Sequence, residues 1–208
     1  MTSTPPNPPT LVAALYVDAR GPYPKLPGVR CWTGPPESDA RCYMGPWPVV
    51  AHPPCGNYCK VSYLRGYDDS DCGIRAVEQV RAYGGVLEHP AHSKLWNVEH
   101  RFDKLPRPGE TDMVGGYTIA VNQCDWGHCC RKPTWLYLRN VPRELLVNPP
   151  RREPTHWASG GRTKSSRTGS DVPPGIKVAS TQQRNRTPPA FAEYLVSLAR
   201  AAQKVRAA

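Results

Sequence analysis

The chain has 208 residues, a formal net charge of +10, 39% hydrophobic residues and 25 prolines. This length predicts one domain with at most a tail, and a proline share of about 12%, against ~5% in an average protein, predicts long irregular connections. No apolar run reaches the ~18 residues of a membrane span, and the polar start lacks the pattern of a secretory signal, so we expect no membrane partner.

The N-terminal half alternates short apolar runs with Gly- and Pro-rich stretches. Residues 10–18 (TLVAALYVD) predict a buried strand, 21–36 a loop, and 46–52 (PWPVVAH) a second strand. Residues 68–83 predict a helix, because Asp and Ser at its start can cap it and apolar residues recur every three positions. Gly84 and Gly85 then end the helix.

Three further strands follow the predicted helix. They cover 86–88, where His89 and Pro90 end the strand, then 117–121 and 134–138. The order of strands and helix predicts an α/β fold with a parallel centre.

Composition divides the chain into four segments. They are a disordered N-terminus (1–9), a catalytic α/β domain (10–148), a basic insertion rich in Pro, Gly and Ser that is extended or disordered (149–180), and a C-terminal motif with a helix packing on the domain (181–208). The helix begins near Pro189, and one of its faces carries Phe191, Tyr194, Leu195, Leu198, Ala202 and Val205.

Positive charge is concentrated near the C-terminus. Residues 151–208 hold eleven Lys and Arg against three acidic residues, a net charge of +8, so the rest of the chain is nearly neutral. This asymmetry predicts a polyanionic partner, most simply nucleic acid. A solvated basic tail that only keeps the protein soluble is the alternative.

Eight cysteines raise the question of disulfides or metal. Because the chain is long for a disulfide scaffold and shows no secretory signal, we expect reduced thiols in the cytoplasm. No pair of C-x2-C motifs has zinc spacing, so we predict no metal. A zinc site remains an alternative, with candidate ligands His52, Cys55, Cys59, His89, His92, Cys124, His128, Cys129 and Cys130.

Two strand ends carry candidate catalytic groups. Cys55 follows a strand through two prolines, which fix the backbone and so the direction of the thiol; this favours a nucleophile. Glu88 ends the next strand along the chain. If the two strands are neighbours, both side chains reach one crevice, and a half-buried Glu88 with a raised pKa could give a proton to a base nitrogen.

Four motifs in order carry a family resemblance. They are HPPC at 52–55, E-H-P at 88–90, G-H-x3-K-x-T at 127–134 and R-x-x-TPPAF at 184–191. The chain resembles the cytosine-C5 DNA methyltransferases, in particular the short forms carried by bacteriophages. The resemblance implies a reduced Rossmann-like sheet of the methyltransferase type, with Pro-rich loops and a C-terminal helix, in a protein that acts in the cytoplasm of a bacterial host cell. The resemblance implies that Cys55 attacks C6 of a flipped cytosine, that Glu88 contacts N3, and that DNA phosphates are held by Arg131, Lys132, Arg184 and Arg186.

The resemblance also implies S-adenosylmethionine as cofactor, with Asp18, Gly21 and Pro53 as binding residues. Residues 16–24 read YVDARGPYP and lack the Gly-rich F-x-G-x-G loop of that family. Either the cofactor binds in an abbreviated pocket, or the protein modifies pyrimidines without S-adenosylmethionine. A third alternative is a nucleic-acid-binding protein with no catalytic activity.

Overall fold

The computed structural model describes residues 11–33, 38–59, 70–98, 104–158, 172 and 174–207. The predicted disordered N-terminus (1–9) lies outside the described residues. A six-stranded sheet with the order β2-β1-β3-β4-β6-β5 forms the centre of the fold. Its strands are β1 (Val12–Leu15), β2 (Val29–Trp32), β3 (Val49–Ala51), β4 (Gly85–Pro90), β5 (Tyr117–Asn122) and β6 (Pro133–Arg139).

The predicted α/β class with a parallel centre is confirmed. Strands β2, β1, β3 and β4 run parallel to one another, and β6 runs antiparallel between β4 and β5. The prediction of a loop over 21–36 is wrong, because that stretch contains β2. This strand lies at the edge of the sheet and is partly exposed, so it lacks the continuous apolar run that marks a buried parallel strand.

Strand β4 also extends further than predicted. His89 and Pro90 pair with Trp135 and Thr134 of β6 instead of ending the strand. Beyond Leu87, β4 pairs only with β6, since its register with β3 ends there. A proline is tolerated at such a strand end, where one side needs no ladder hydrogen bond.

A helix covers each face of the sheet, because successive side chains of a strand point to opposite sides. Helix α1 (Ser70–Tyr83) covers one face and α3 (Pro189–Ala207) the other. The face beneath α1 is formed by Ala13, Leu15, Val49, Ala51, Leu87 and Tyr137, and the face beneath α3 by Val12, Ala14, Val50, Val86, Leu136 and Leu138. All twelve of these residues are buried, so the core consists of two apolar layers on either side of one sheet.

The ends of the helices agree with the sequence prediction. Helix α1 ends at Tyr83, and Gly84 and Gly85 follow with φ of +78° and +113°, the region that favours glycine. A Cβ on Gly85 would lie 2.0 Å from the carbonyl oxygen of Val49, so β3 and β4 approach closely only because this residue has no side chain. Helix α3 begins at Pro189 as predicted, and Phe191 on its predicted apolar face is fully buried.

Part of the predicted 149–180 insertion forms a small second sheet. Strand β7 (His156–Trp157) pairs in parallel with β8 (Lys177–Val178). The backbone N–H groups of Thr155 and His156 both donate to the carbonyl of Cys129 at 2.9 Å. A short helix, α2 (Thr181–Asn185), follows, with a capping box between Ser180 and Gln183. The beginning of the basic segment therefore lies against the loop between β5 and β6.

Candidate active site

The carboxyl ends of three parallel strands bring the candidate residues together. The sheet order reverses at β1, which has β2 on one side and β3 on the other. Open α/β sheets bind their ligands in the crevice at such a switch point. Asp18 follows β1, Cys55 follows β3, and Glu88 lies near the end of β4, so the predicted neighbourhood of Cys55 and Glu88 is found in the structure.

Cys55 is exposed and lies immediately before a short 3-10 helix over Gly56–Tyr58. The pKa of its thiol is raised, first by desolvation of the sulfur and then by the negative charge of Glu88, while Lys132 acts in the opposite direction. The thiol is therefore largely protonated near neutral pH and becomes a nucleophile by losing that proton when it reacts.

Glu88 is buried, but its predicted raised pKa is wrong. Burial alone would raise the pKa of this carboxyl group, yet the hydrogen bond and charge of His52, with smaller contributions from Lys132 and His89, lower it to about 2. The side chain of Glu88 is only 9% exposed and that of His52 only 12%. Glu88 is thus an ionised carboxylate at neutral pH, held in place by its polar neighbours.

Both carboxylate oxygens of Glu88 have partners. Oε2 lies 2.9 Å from Nδ1 of His52, and Oε1 accepts a hydrogen bond of 2.7 Å from Nε2 of Gln123. On its other side, the His52 ring contacts Tyr23, whose hydroxyl oxygen lies 2.6 Å from Nε2. Gln123 also donates to the hydroxyl of Thr134 at 3.1 Å, so the carboxylate belongs to a buried polar network.

No role was predicted for Tyr23 or Gln123, and His52 was considered only as a candidate zinc ligand. His52 and Gln123 are marked in the sequence as the first residue of HPPC and as the residue four positions before the Gly-His pair. Tyr23 gave no signal, because it lies in a Pro-rich stretch that was predicted as loop. In the structure it forms a 3-10 turn between β1 and β2 that buries its ring.

His89 lies in an aromatic enclosure beside the Cys55 loop. It is fully buried, and its ring meets Tyr58 and Trp96 edge-on at 5.8 and 6.3 Å. Burial lowers the pKa of this imidazole to about 4, against the smaller opposing effects of Glu88 and the Pro54 carbonyl. His89 is therefore neutral at physiological pH and ties the end of β4 to the loop that carries Cys55.

The predicted cofactor residues lie along the same edge of the sheet. Asp18 is exposed, and its carboxylate is 3.5 Å from the guanidinium of Arg20. Gly21 closes a tight turn, since a Cβ there would meet the Asp18 carbonyl oxygen at 3.0 Å. Tyr16, directly after β1, adopts φ of +59°, a conformation that side chains usually avoid. Pro53 lies in the loop that leads to Cys55 and is buried.

The four predicted phosphate-binding residues differ in their surroundings. Lys132 lies close enough to Glu88 and Cys55 to lower the pKa of both groups. Arg131 pairs with the exposed Glu153 at 3.2 Å. Arg184 is partly buried and donates to the Thr181 hydroxyl at 3.1 Å, whereas Arg186 is exposed. Lys132 is thus the member of this set nearest the candidate active site.

The last two sequence motifs meet in space. The indole of Trp126 stacks on Tyr194 and contacts Phe191 of α3, with ring centroids 5.2 Å apart in both pairs. The backbone carbonyls of Gln183 and Arg184 face the His128 imidazole and act on its titration. The Gly-His motif therefore anchors the C-terminal segment beside the edge of the sheet that carries the site.

Among the residues that the structure describes, one group of side chains could hold a metal ion. The ligand atoms of His128, Cys129 and Cys130 all lie within 4.8 Å of one another. However, Nδ1 of His128 is 3.0 Å from both the backbone nitrogen and the carbonyl oxygen of Cys130, so it is already engaged. The other candidate ligands are dispersed, with His52 on Glu88 and His89 in its aromatic enclosure. The absence of a metal remains a prediction.

Comparison of the chain with protein-family models, with curated proteins and with solved structures gives no match in any of the three. Within the described residues, no helix has the length and apolar character needed to cross a membrane.

Proposed function

We propose that the protein is a DNA base-modifying enzyme similar to the cytosine-C5 methyltransferases, acting on the DNA of a bacteriophage or its host. One observation carries the proposal: a thiol and a carboxylate at the ends of adjacent parallel strands, close enough for the charge of Glu88 to act on Cys55. The order of the parallel strands reverses at β1, beside the strand β3 that leads to Cys55, and this supports a Rossmann-like fold.

Covalent addition to the base is the central step. The sulfur of Cys55 bonds to C6 of a flipped pyrimidine, its proton leaves to solvent, and the C5–C6 double-bond electrons become available at C5. N3 takes up a proton in the same step, so the adduct carries no net charge. An electrophile then bonds to C5, the C5 proton leaves, the sulfur is expelled from C6 as thiolate, and N3 gives up its proton, so the modified base is neutral.

Glu88 contacts the N3 edge of the base and stabilises the positive charge that develops there. Gln123 fixes the direction of the carboxylate through the 2.7 Å hydrogen bond to Oε1. Because the carboxylate is ionised before the substrate arrives, its electrostatic contribution needs no rearrangement during the reaction. The proton that N3 takes up must come from a neighbour.

Positive charge near Cys55 and Glu88 would bind the DNA phosphates. Lys132 acts electrostatically on both Cys55 and Glu88, and a phosphate beside it would bring the target nucleotide within reach of the thiol. Arg131 in the loop before β6, together with Arg184 and Arg186 of the C-terminal segment, adds further positive charge. Each phosphate contact makes the affinity more dependent on salt.

S-adenosylmethionine supplies an electrophilic methyl group when it is bound. The exposed Asp18 carboxylate could accept hydrogen bonds from its ammonium or hydroxyl groups. Gly21 would keep the adjoining turn tight, since a Cβ there would meet the Asp18 carbonyl oxygen at 3.0 Å. Pro53, buried two residues before Cys55, would hold the backbone that leads to the thiol. A pyrimidine-modifying enzyme with another group donor would keep Cys55 and Glu88 and differ at these positions.

Mass spectrometry of nucleosides tests this proposal. DNA from cells that express the wild type, Cys55→Ala or Cys42→Ala would be digested and compared. Cys42 is an exposed thiol away from the site, so its replacement is the matched control and should leave the product unchanged. We expect 5-methylcytosine that disappears only with Cys55→Ala.

Other outcomes have distinct meanings. A Cys55-dependent product of another mass would retain the nucleophile and replace the donor. No new nucleoside from the wild type, together with DNA binding that Cys55→Ala retains, would overturn the enzymatic proposal and favour a DNA-binding protein.

A further inference from the structure

A continuous line of hydrogen bonds leads from the protein interior to Glu88. The Tyr23 hydroxyl lies 2.6 Å from Nε2 of His52, and Nδ1 of His52 lies 2.9 Å from Oε2 of Glu88. The three residues come from the turn after β1, the loop after β3 and strand β4. This line of hydrogen bonds is longer than is needed to hold the Glu88 carboxylate, because Gln123 already holds its other oxygen.

The geometry fixes where one proton lies. An ionised carboxylate only accepts hydrogen bonds, so Nδ1 of His52 must carry the hydrogen between the ring and Glu88. Nε2 then either accepts from the Tyr23 hydroxyl or carries a second proton. Burial, and next the charge of Glu88, raise the pKa of Tyr23 well above its usual value, so this phenol keeps its proton and holds the ring in position.

We propose that His52 supplies the proton that Glu88 passes to N3 of the base, with Tyr23 as the residue that positions the imidazole. This inference rests on the proposed function. The proton on Nδ1 of cationic His52 moves to Oε2 of Glu88, and Glu88 protonates N3 while the Cys55 sulfur bonds to C6. The thiol proton leaves to solvent, His52 is left neutral, and Glu88 is again ionised.

The charges around His52 favour this assignment. Glu88 is its negative neighbour, and Tyr23 on the opposite side is neutral. His89 also faces it from β4, but burial keeps this second imidazole neutral and therefore without a proton to give. Lys132 faces Glu88 from the segment before β6 and adds positive charge to the pair. Among these groups, His52 combines direct contact with the carboxylate and an exchangeable proton.

Exchange of the cytosine C5 hydrogen for deuterium in D₂O is a suitable assay, because addition at C6 makes C5 basic whatever group is transferred later. The substrate would be mixed-sequence DNA, both single- and double-stranded, and the rate would be followed by mass spectrometry across pH. His52→Asn keeps a nitrogen donor near the Nδ1 position but cannot become cationic. Tyr23→Phe removes only the hydroxyl, and Tyr117→Phe, which removes a buried hydroxyl bonded to the Val141 carbonyl, is its matched control.

In the wild type, we expect the exchange rate to rise with pH as Cys55 ionises. His52→Asn should lower the rate on the order of a hundredfold or more and should change the shape of the pH profile, because asparagine cannot pass a proton to Glu88. Tyr23→Phe should lower the rate by about tenfold and keep the wild-type profile, and Tyr117→Phe should have no effect on the rate.

A wild-type pH profile in His52→Asn, however slow the reaction, would overturn the relay and leave the proposed function intact. No Cys55-dependent exchange by the wild type would overturn both. Nitrogen NMR of the His52 ring in the wild type gives a second readout that needs no variant to fold. A ring that lacks a proton on Nδ1 at neutral pH would also overturn the proposal.

Discussion

Replacing Glu88 by Gln should remove a defined part of the acid sensitivity of folding. The pKa of this carboxyl group is about 2 in the folded protein and 4.5 ordinarily, and the difference corresponds to about 3 kcal/mol of stability. Because the folded pKa is the lower one, this contribution is fully present above pH 4.5 and disappears as the pH falls towards 2. Glutamine cannot titrate, so the variant lacks this dependence.

The measurement is the free energy of unfolding by urea at about pH 6 and at about pH 2. Between these values the wild type should lose about 3 kcal/mol more than Glu88→Gln. Glu153→Gln is the control, since the Glu153 side chain is 79% exposed and its replacement should leave the wild-type dependence intact. Equal losses in the wild type and Glu88→Gln would refute the conclusion that His52 holds this carboxylate ionised.

Further substitutions probe the charge at the site and the packing of the fold. Lys132→Gln should slow alkylation of Cys55 near pH 8 by about two- to threefold, because the Lys132 cation lowers the pKa of the thiol and its removal would raise that pKa. An unchanged alkylation rate, measured by peptide mass spectrometry, would contradict this. Gly85→Ala should destabilise the fold by more than ~3 kcal/mol, since the new Cβ would lie 2.0 Å from the Val49 carbonyl oxygen; a wild-type melting temperature would show the contact to be relieved easily. Phe191→Ala should cost about 3–5 kcal/mol because this ring is fully buried, which calorimetry would record as a fall in melting temperature of about 10 °C.

Local sequence signals were sufficient for most of the fold. The apolar runs around Val12, Val50 and Leu136 predicted strands that the structure contains, because a strand buried on both faces leaves a continuous apolar pattern. The glycine pair after α1 predicted its end for a similarly local reason. Strand β2 escaped prediction since an edge strand with one neighbour needs no such pattern.

Only those residues of the candidate site that directly follow an apolar strand could be predicted from the sequence. Cys55 and Glu88 follow apolar strands, and their neighbourhood required only that β3 and β4 be adjacent and parallel. The ionisation state of Glu88 depends on His52 and Lys132, which lie 36 and 44 positions away in the chain. Tyr23 reaches the site through the fold of a Pro-rich connection that has no periodicity. Long-range contacts of this kind determine a pKa but leave no local sequence pattern.

The packing of α3 has a consequence for the order in which the protein can fold. This helix, at 189–207, supplies the apolar cover for strands that begin as early as Val12. During synthesis one face of the parallel sheet must therefore remain uncovered until the helix has left the ribosome. Contacts of such wide sequence separation fold slowly and expose apolar surface to other chains in the meantime. We expect yields of the recombinant protein to improve at low growth temperature or with a chaperone that shields this surface.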